Sequence, residues 1–150
     1  CSQLIVTKQE RAGEDYALVK LDRSVTQHDY LPLNRTGLIE NGSSLTVIGH
    51  PSGLPTKIAG GANVRDNSPT GYFVANLDTY GGNSGSAVFN STTGLVEGIL
   101  VRGEQDFIYT SEGCRVSNRC DNSACRGEDV TKISAVMRLI PENSQLPLPF

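Results

Sequence analysis

The sequence predicts an all-β protein on three observations. Short apolar stretches alternate with polar residues, and Gly, Pro, Asn and Ser punctuate them at close intervals. The composition, rich in Gly, Ser, Thr and Asn and without tryptophan, suits many strands joined by tight turns better than long helices. At 150 residues the chain is long enough to bury a sizeable core.

Gln3 to Lys8 reads as a first strand and Asp15 to Asp22 as a second, with Ala17, Val19 and Leu21 sharing one face and a polar turn between the two. From Leu31 to Ser44 the chain carries Pro32, Gly37 and Gly42 without sustained periodicity, as a linker does. The organisation expected is a first unit over 1–35, a linker over 36–44 and a second unit over 45–150. Within the second unit, Leu45 to Gly49, Lys57 to Val64, Gly71 to Leu77, Ser86 to Phe89, Leu95 to Arg102 and Phe107 to Thr110 are candidate strands, and their regular spacing suggests a barrel or sandwich. Ser134 is placed to cap a short helix from Ala135 to Ile140 that Pro141 helps to end, and the Pro-rich tail should run extended over the surface.

The net charge of -3 is scattered, with no Lys/Arg block to track a nucleic acid. No apolar run approaches the roughly 20 residues of a membrane-spanning helix, and no charged-then-apolar leader precedes the first strand. Cys1, Cys114, Cys120 and Cys125 form an even set that favours disulfides; the spacing of the last three matches no common zinc pattern and no histidine is near them, so no metal site is expected. Three clustered cysteines leave one without a local partner, so Cys1 must reach back to the cluster or pair outside the chain.

The most informative segment is Asp78-Thr-Tyr-Gly-Gly-Asn-Ser-Gly-Ser-Ala-Val-Phe89. Turn residues of this kind occur in any hairpin. Here, however, the turn follows one strand and leads into Ala87-Val-Phe89 and then Gly94-Leu-Val-Glu-Gly-Ile-Leu100, a second strand of buried character. A serine between Gly82 and Gly85 can sit on a tight turn where a carbonyl approaches closely and backbone N–H groups point at it.

Gly82-Asn-Ser-Gly-Ser86 resembles the active-site serine signature of bacterial trypsin-like and glutamyl-endopeptidase-like proteases of the chymotrypsin fold. Asp15-Tyr-Ala-Leu-Val-Lys-Leu21 is similar to that family's catalytic aspartate segment, Gly49-His-Pro51 to the Gly-Tyr-Pro that opens its second barrel, and Val130-Thr-Lys-Ile133 to its last strand before a terminal helix. The resemblance implies a double β-barrel, here a partial N-terminal barrel followed by a complete C-terminal barrel. It implies Ser84 as nucleophile, Gly82 and Ser84 as backbone oxyanion donors, and Asp15 as the residue that orients a histidine. Asp22 and Asp29 are alternatives for the aspartate, but neither precedes an apolar strand.

The family orders its triad His, Asp, Ser along the chain, whereas His28 and His50 both follow Asp15. Both read as structural residues. The expectation is therefore a chain that is nearly inactive alone, with an N-terminal segment or second chain supplying the base. Asp78, six residues before Ser84, occupies the position at the foot of the family's specificity pocket, and Val101, Arg102 and Gly103 correspond to its substrate-binding strand edge. A carboxylate there implies cleavage after Arg or Lys. Cleavage after Glu is the alternative implied by the same signature; Leu100 stands near the place of the histidine those enzymes use, while Arg102 could offer positive charge. A catalytically dead peptide-binding relative is the second class of function.

Asn83 replaces the aspartate that pairs with a freed N-terminal ammonium in animal members, and an amide cannot form that ion pair. No metal or organic cofactor is required for the acyl transfer, and protein or peptide is the expected substrate. The motif style is bacterial and implies a secreted or periplasmic protein. The glycan acceptor motifs at Asn34, Asn41 and Asn90 are accordingly expected to be bare.

Overall fold

A computed structural model describes residues 1–140. The chain forms β1 (Gln3–Gln9), β2 (Asp15–Lys20), β3 (Ser44–Gly49), β4 (Lys57–Asp66), β5 (Tyr72–Ala75), β6 (Ala87–Asn90), β7 (Val96–Arg102), β8 (Phe107–Tyr109), β9 (Arg115–Ser117), β10 (Glu128–Lys132) and α1 (Ile133–Met137), with one 3-10 turn at Pro51–Gly53. Six strands close into an antiparallel barrel in the order β10-β5-β4-β3-β6-β7, sealed where β7 meets β10. β1 and β2 make a separate two-stranded ribbon, and so do β8 and β9. The fold is all-β, as the sequence predicts, with a chymotrypsin-like barrel and one short helix.

The barrel core follows from the period of two along each strand. Leu45 and Val47 of β3, Ala62 and Val64 of β4, Phe73 and Ala75 of β5, Val88 of β6, Leu100 of β7 and Val130 of β10 point inward and are buried together with Ile39 and Leu77. β7 is buried on both faces. Leu100 enters the barrel, while Ile99 looks outward into a second cluster with Tyr16 and Leu18 of β2, Val6 of β1 and Ala135, Val136 and Ile140 at α1. That second cluster fixes the ribbon to the barrel wall.

The sequence reading differs from the structure in several places. The face of β2 that carries Tyr16 and Leu18 packs on the barrel, whereas Val19 and Leu21 on the predicted apolar face are 44% and 52% exposed. The helix starts two residues early, with Lys132 at its N-cap position and no side-chain cap, so Ser134 lies inside it. Burial of Ile133 and Val136 holds this turn in place of a capping hydroxyl. The run over 31–44 is strapped to the barrel: Leu33 bridges to Val96, Ile39 enters the core, and buried Asn34 donates to Glu97 at 2.7 Å and to the Leu38 carbonyl at 2.9 Å. β9 carries no apolar alternation that would mark it as a strand in the sequence. Cys120 pairs with Cys125, while Cys1 and Cys114 are exposed and bonded to no cysteine among the described residues. The expected tail, and the Pro141 stop, lie outside the described residues.

The β7–β10 seam depends on Gly98. A Cβ there would run into the Thr131 carbonyl oxygen and crowd the Val130 side chain, so the two strands could not approach as closely. We expect Gly98→Ala to destabilise the fold by about 1–3 kcal/mol, the usual range for overpacking a closed interior, as measured by denaturant unfolding.

Candidate active site

Ser84 sits on the turn between Leu77 and β6, and its geometry follows from two glycines. Gly82 and Gly85 have φ of +89° and +91°, where a side chain is strained. A Cβ on Gly82 would also press on the Ser52 backbone nitrogen at 3.3 Å, because the 3-10 turn lies against it. Ser52 N–H donates to the Gly81 carbonyl at 2.8 Å, Asp106 accepts from Gly81 N–H at 2.7 Å, and Gly85 N–H donates to the Leu100 carbonyl at 2.7 Å. The turn is thus pinned on three sides. Among the described residues the N–H groups of Gly82 and Ser84 make no hydrogen bond, and the Ser84 side chain is exposed with its hydroxyl donating to the Val101 carbonyl at 2.9 Å.

Asp15 begins β2 and is brought to the same place by a clasp with β10. Its N–H donates to Thr131 Oγ1 at 3.0 Å, and the Thr131 hydroxyl donates back to the Asp15 carbonyl at 3.1 Å. Thr131 is fully buried. A cleft of about 440 Å³ is lined by Asp15 and Ala17 on the ribbon side and by Ser84, Gly85, Leu100 and Val101 on the barrel side. Two of the residues singled out in the sequence, distant along the chain, therefore share one cleft.

Neither histidine lines it. The His50 ring nitrogens lie 3.1 Å from the Leu54 carbonyl and 3.3 Å from Thr56 Oγ1, a structural arrangement, and His28 is exposed. Arg102 does not extend toward the cleft. Its guanidinium pairs with buried Asp129 at 3.0 Å and donates to the carbonyls of Glu10 and Gly13, so it ties the β1–β2 turn to the barrel. Arg126 completes the pair on Asp129 at 2.5 Å.

Asp78 lines a second cavity of about 470 Å³ beside the turn, together with Asp106, Glu104, Glu128 and the Cys120–Cys125 loop. Burial pushes the Glu128 carboxyl up to about 7, and the negative charges of Asp106 and Asp78 add to the rise against two backbone hydrogen bonds that lower it. Nothing local marks Glu128, and the Val130–Ile133 segment assigns Thr131 no part in the site; each acquires its surroundings only when β10 closes the barrel.

Two outcomes check this geometry. Thr131→Val keeps shape but strands the Asp15 N–H and carbonyl, and should cost about 1–3 kcal/mol while loosening the ribbon in hydrogen exchange. For Glu128, a carboxyl raised in the folded state binds more protons folded than unfolded, so its stability contribution is complete below about pH 4.5 and is lost as pH rises through about 7. Glu128→Gln should therefore unfold at higher denaturant than the parent above that range, by about 1 kcal/mol after solvent screening of its partly exposed carboxyl, with the gap closing in acid.

Comparisons with known proteins bear on the family and the fold. Residues 2–99, which include Asp15 and Ser84, match the trypsin-like peptidase domain. No curated protein matches. Among solved structures, the fold is similar to Rv3671c from M. tuberculosis H37Rv, a serine-to-alanine mutant in an inactive form, with a TM-score of 0.52 and 14% identity over 82% of this chain. The chain spans 58% of that protein's length, and at this identity the likeness is one of fold. The match over residues 2–99 identifies the chain as a member of the trypsin-like peptidase domain family.

Proposed function

We propose that the chain is the serine-bearing portion of a serine endopeptidase that cleaves after Arg or Lys, with its general base supplied by a segment outside these 150 residues. The observation that carries the reading is the single cleft lined by both Ser84 and Asp15. In the assembled site, Ser84 Oγ attacks the scissile carbonyl while the histidine takes its proton. The oxyanion is met by the N–H groups of Gly82 and Ser84, the histidine then passes the proton to the leaving amine, and water hydrolyses the acyl-enzyme by the same steps. Asp15 would orient the imidazole and support its positive charge.

The exposed side of the ribbon supports an external origin for the base. Asp15, Ala17 and Val19 alternate onto one face of β2, Leu21 follows just beyond its end, and Leu4 and Ile5 of β1 are likewise half exposed. An apolar stripe that starts at Asp15 suits a segment packing across it and reaching the cleft. This agrees with reading 1–35 as part of a first barrel and 45–150 as the second. The cavity at Asp78 favours a cationic side chain, since Asp106 and Glu128 add negative potential there. The carboxyls of Asp78, Glu104, Asp106, Asp121 and Glu128 outnumber Arg65 and Arg119 around that cavity, which favours cleavage after Arg or Lys over cleavage after Glu. The Cys120–Cys125 disulfide suits an oxidising compartment, so we place the protein outside the cytoplasm, as a secreted or periplasmic bacterial enzyme.

The test uses the protein expressed with the residues that precede Cys1, assayed on Arg-, Lys- and Glu-ending chromogenic peptides. Cleavage after Arg and Lys that disappears in Ser84→Ala is expected. Asp78→Asn should lower kcat/KM on those peptides by about 10- to 100-fold, from the ~1.5–3 kcal/mol of a charge-assisted hydrogen bond. Peptide binding without turnover would identify a non-catalytic relative, and preference for Glu would refute the role of Asp78.

A further inference from the structure

Asn83 lies directly before the nucleophile and is 4% exposed. Its amide is used at both ends: Nδ2 donates to Thr79 Oγ1 at 2.6 Å, and Oδ1 accepts from the Ser86 hydroxyl at 2.9 Å. The Ser86 N–H donates to the Asn83 carbonyl at 3.1 Å, which closes the turn. The amide also fills the space over Gly49, where any Cβ would collide with Asn83 Oδ1 and Ser86 Oγ. Among the described residues no ionised group bonds to it. Around it, Asp78 and Asp106 lie on or beside the turn, His50 at the end of β3 has its ring nitrogens on Leu54 and Thr56, and Arg102 at the end of β7 is held by Asp129.

We infer that Asn83 is a positioning residue, a neutral latch that holds the Gly82–Ser84 turn with its two N–H groups presented, so that no ammonium or other added charge is needed to set the turn. The inference rests on the endopeptidase reading for its catalytic consequence. A group this buried must satisfy its own hydrogen bonds and its neighbours', and an amide does both without a charge. It donates at one end and accepts at the other, matching a hydroxyl that accepts and a hydroxyl that donates. An ionised carboxylate of the same shape could accept from both hydroxyls, since each can turn to donate, but its charge would be buried with no cation in contact among the described residues.

The distinguishing property is how a carboxyl substitute behaves with pH. A protonated Asp at position 83 can donate to Thr79 and accept from Ser86, copying the neutral amide, whereas its ionised form brings an uncompensated charge into the buried turn. Burial without a cation favours the protonated form well above the usual carboxylate range. The experiment compares the parent, Asn83→Asp and Asn83→Ala in the protein that includes the residues before Cys1, following covalent labelling of Ser84 by a serine-directed fluorophosphonate, with thermal unfolding as a check of folding. Parent and variant share the same histidine, so its titration cancels in their ratio. Asn83→Asp should label near the parent rate at about pH 5.5 and at least about tenfold more slowly at about pH 8, consistent with loss of the latch on ionisation. Parent protein carrying a retained N-terminal tag should label at an unchanged rate. Asn83→Ala should remain folded yet label slowly across the range. A variant-to-parent ratio for Asn83→Asp that stays flat with pH, at any level, overturns the latch, as does loss of labelling on blocking the N-terminus. Failure of the parent itself to label instead sinks the endopeptidase reading, and the latch's catalytic consequence with it.

Discussion

The arrangement rests on the exchange of hydrogen bonds between Thr131 and the backbone of Asp15. One buried hydroxyl serves as donor to a carbonyl and acceptor from an N–H of the same residue, so the start of β2 is held in both position and direction. Thr131 can do this because it lies on β10, the strand that closes the barrel against β7. Its neighbour Asp129 sits two residues away on the same face, almost fully buried, and gathers Arg102 from β7 and Arg126 from the preceding loop. Arg102 then reaches the carbonyls of Glu10 and Gly13 across the ribbon turn. Barrel closure and ribbon docking are therefore one event, and the cleft between Asp15 and Ser84 is its product.

These contacts differ in energetic character. The apolar cluster of Tyr16, Leu18, Val6, Ala135 and Val136 supplies non-directional attraction. It would tolerate small slides of the ribbon. The Thr131 clasp and the Arg102 carbonyl bonds are directional, and Asp129 would be a strongly unfavourable buried charge without its arginines. Apolar packing keeps the ribbon on the barrel; the polar seam decides where along the barrel it sits. Catalytic geometry of the proposed kind depends on the second, because an error of an ångström in the aspartate passes directly to any imidazole it orients.

Much of the fold was legible because its causes are local. Alternation in Leu45–Val47 and Ala62–Val64 marks strands with one face inside a barrel, and two positive-φ glycines around Ser84 identify a turn of unusual shape. What could not be read locally is which face a strand turns toward what. Along β2 both faces carry apolar residues, and Ala17, Val19 and Leu21 look as suited to a core as Tyr16 and Leu18 do. The barrel selects the second set because Ile99 and α1 offer it a surface. Arg102 read as a potential substrate contact from its position at a strand end, but its partner Asp129 is 27 residues away and the ribbon carbonyls farther still. The helix start was misplaced for a related reason: burial of Ile133 outweighs the capping hydroxyl that Ser134 would have provided.

Charge is distributed unevenly around the Ser84 turn, and this constrains how a nucleophile proposed there can work. On one side Asp78, Asp106 and Glu128 share a cavity, with Glu128 held partly protonated near neutrality by burial and by the other two. On the other side, at the root of the turn, Asn83 and its two hydroxyl partners are neutral. A carboxylate in place of Asn83 would extend the negative field of the cavity to the residue next to the oxyanion donors, where it would oppose the charge that develops on the substrate oxygen. Keeping that position neutral adds no second carboxylate to a turn where Asp106 already accepts from the Gly81 N–H, one residue from Gly82. In the proposed enzyme, recognition and transition-state stabilisation make opposite electrostatic demands, and a neutral Asn83 beside Ser84 limits how far the negative charge of the Asp78 side extends along the turn.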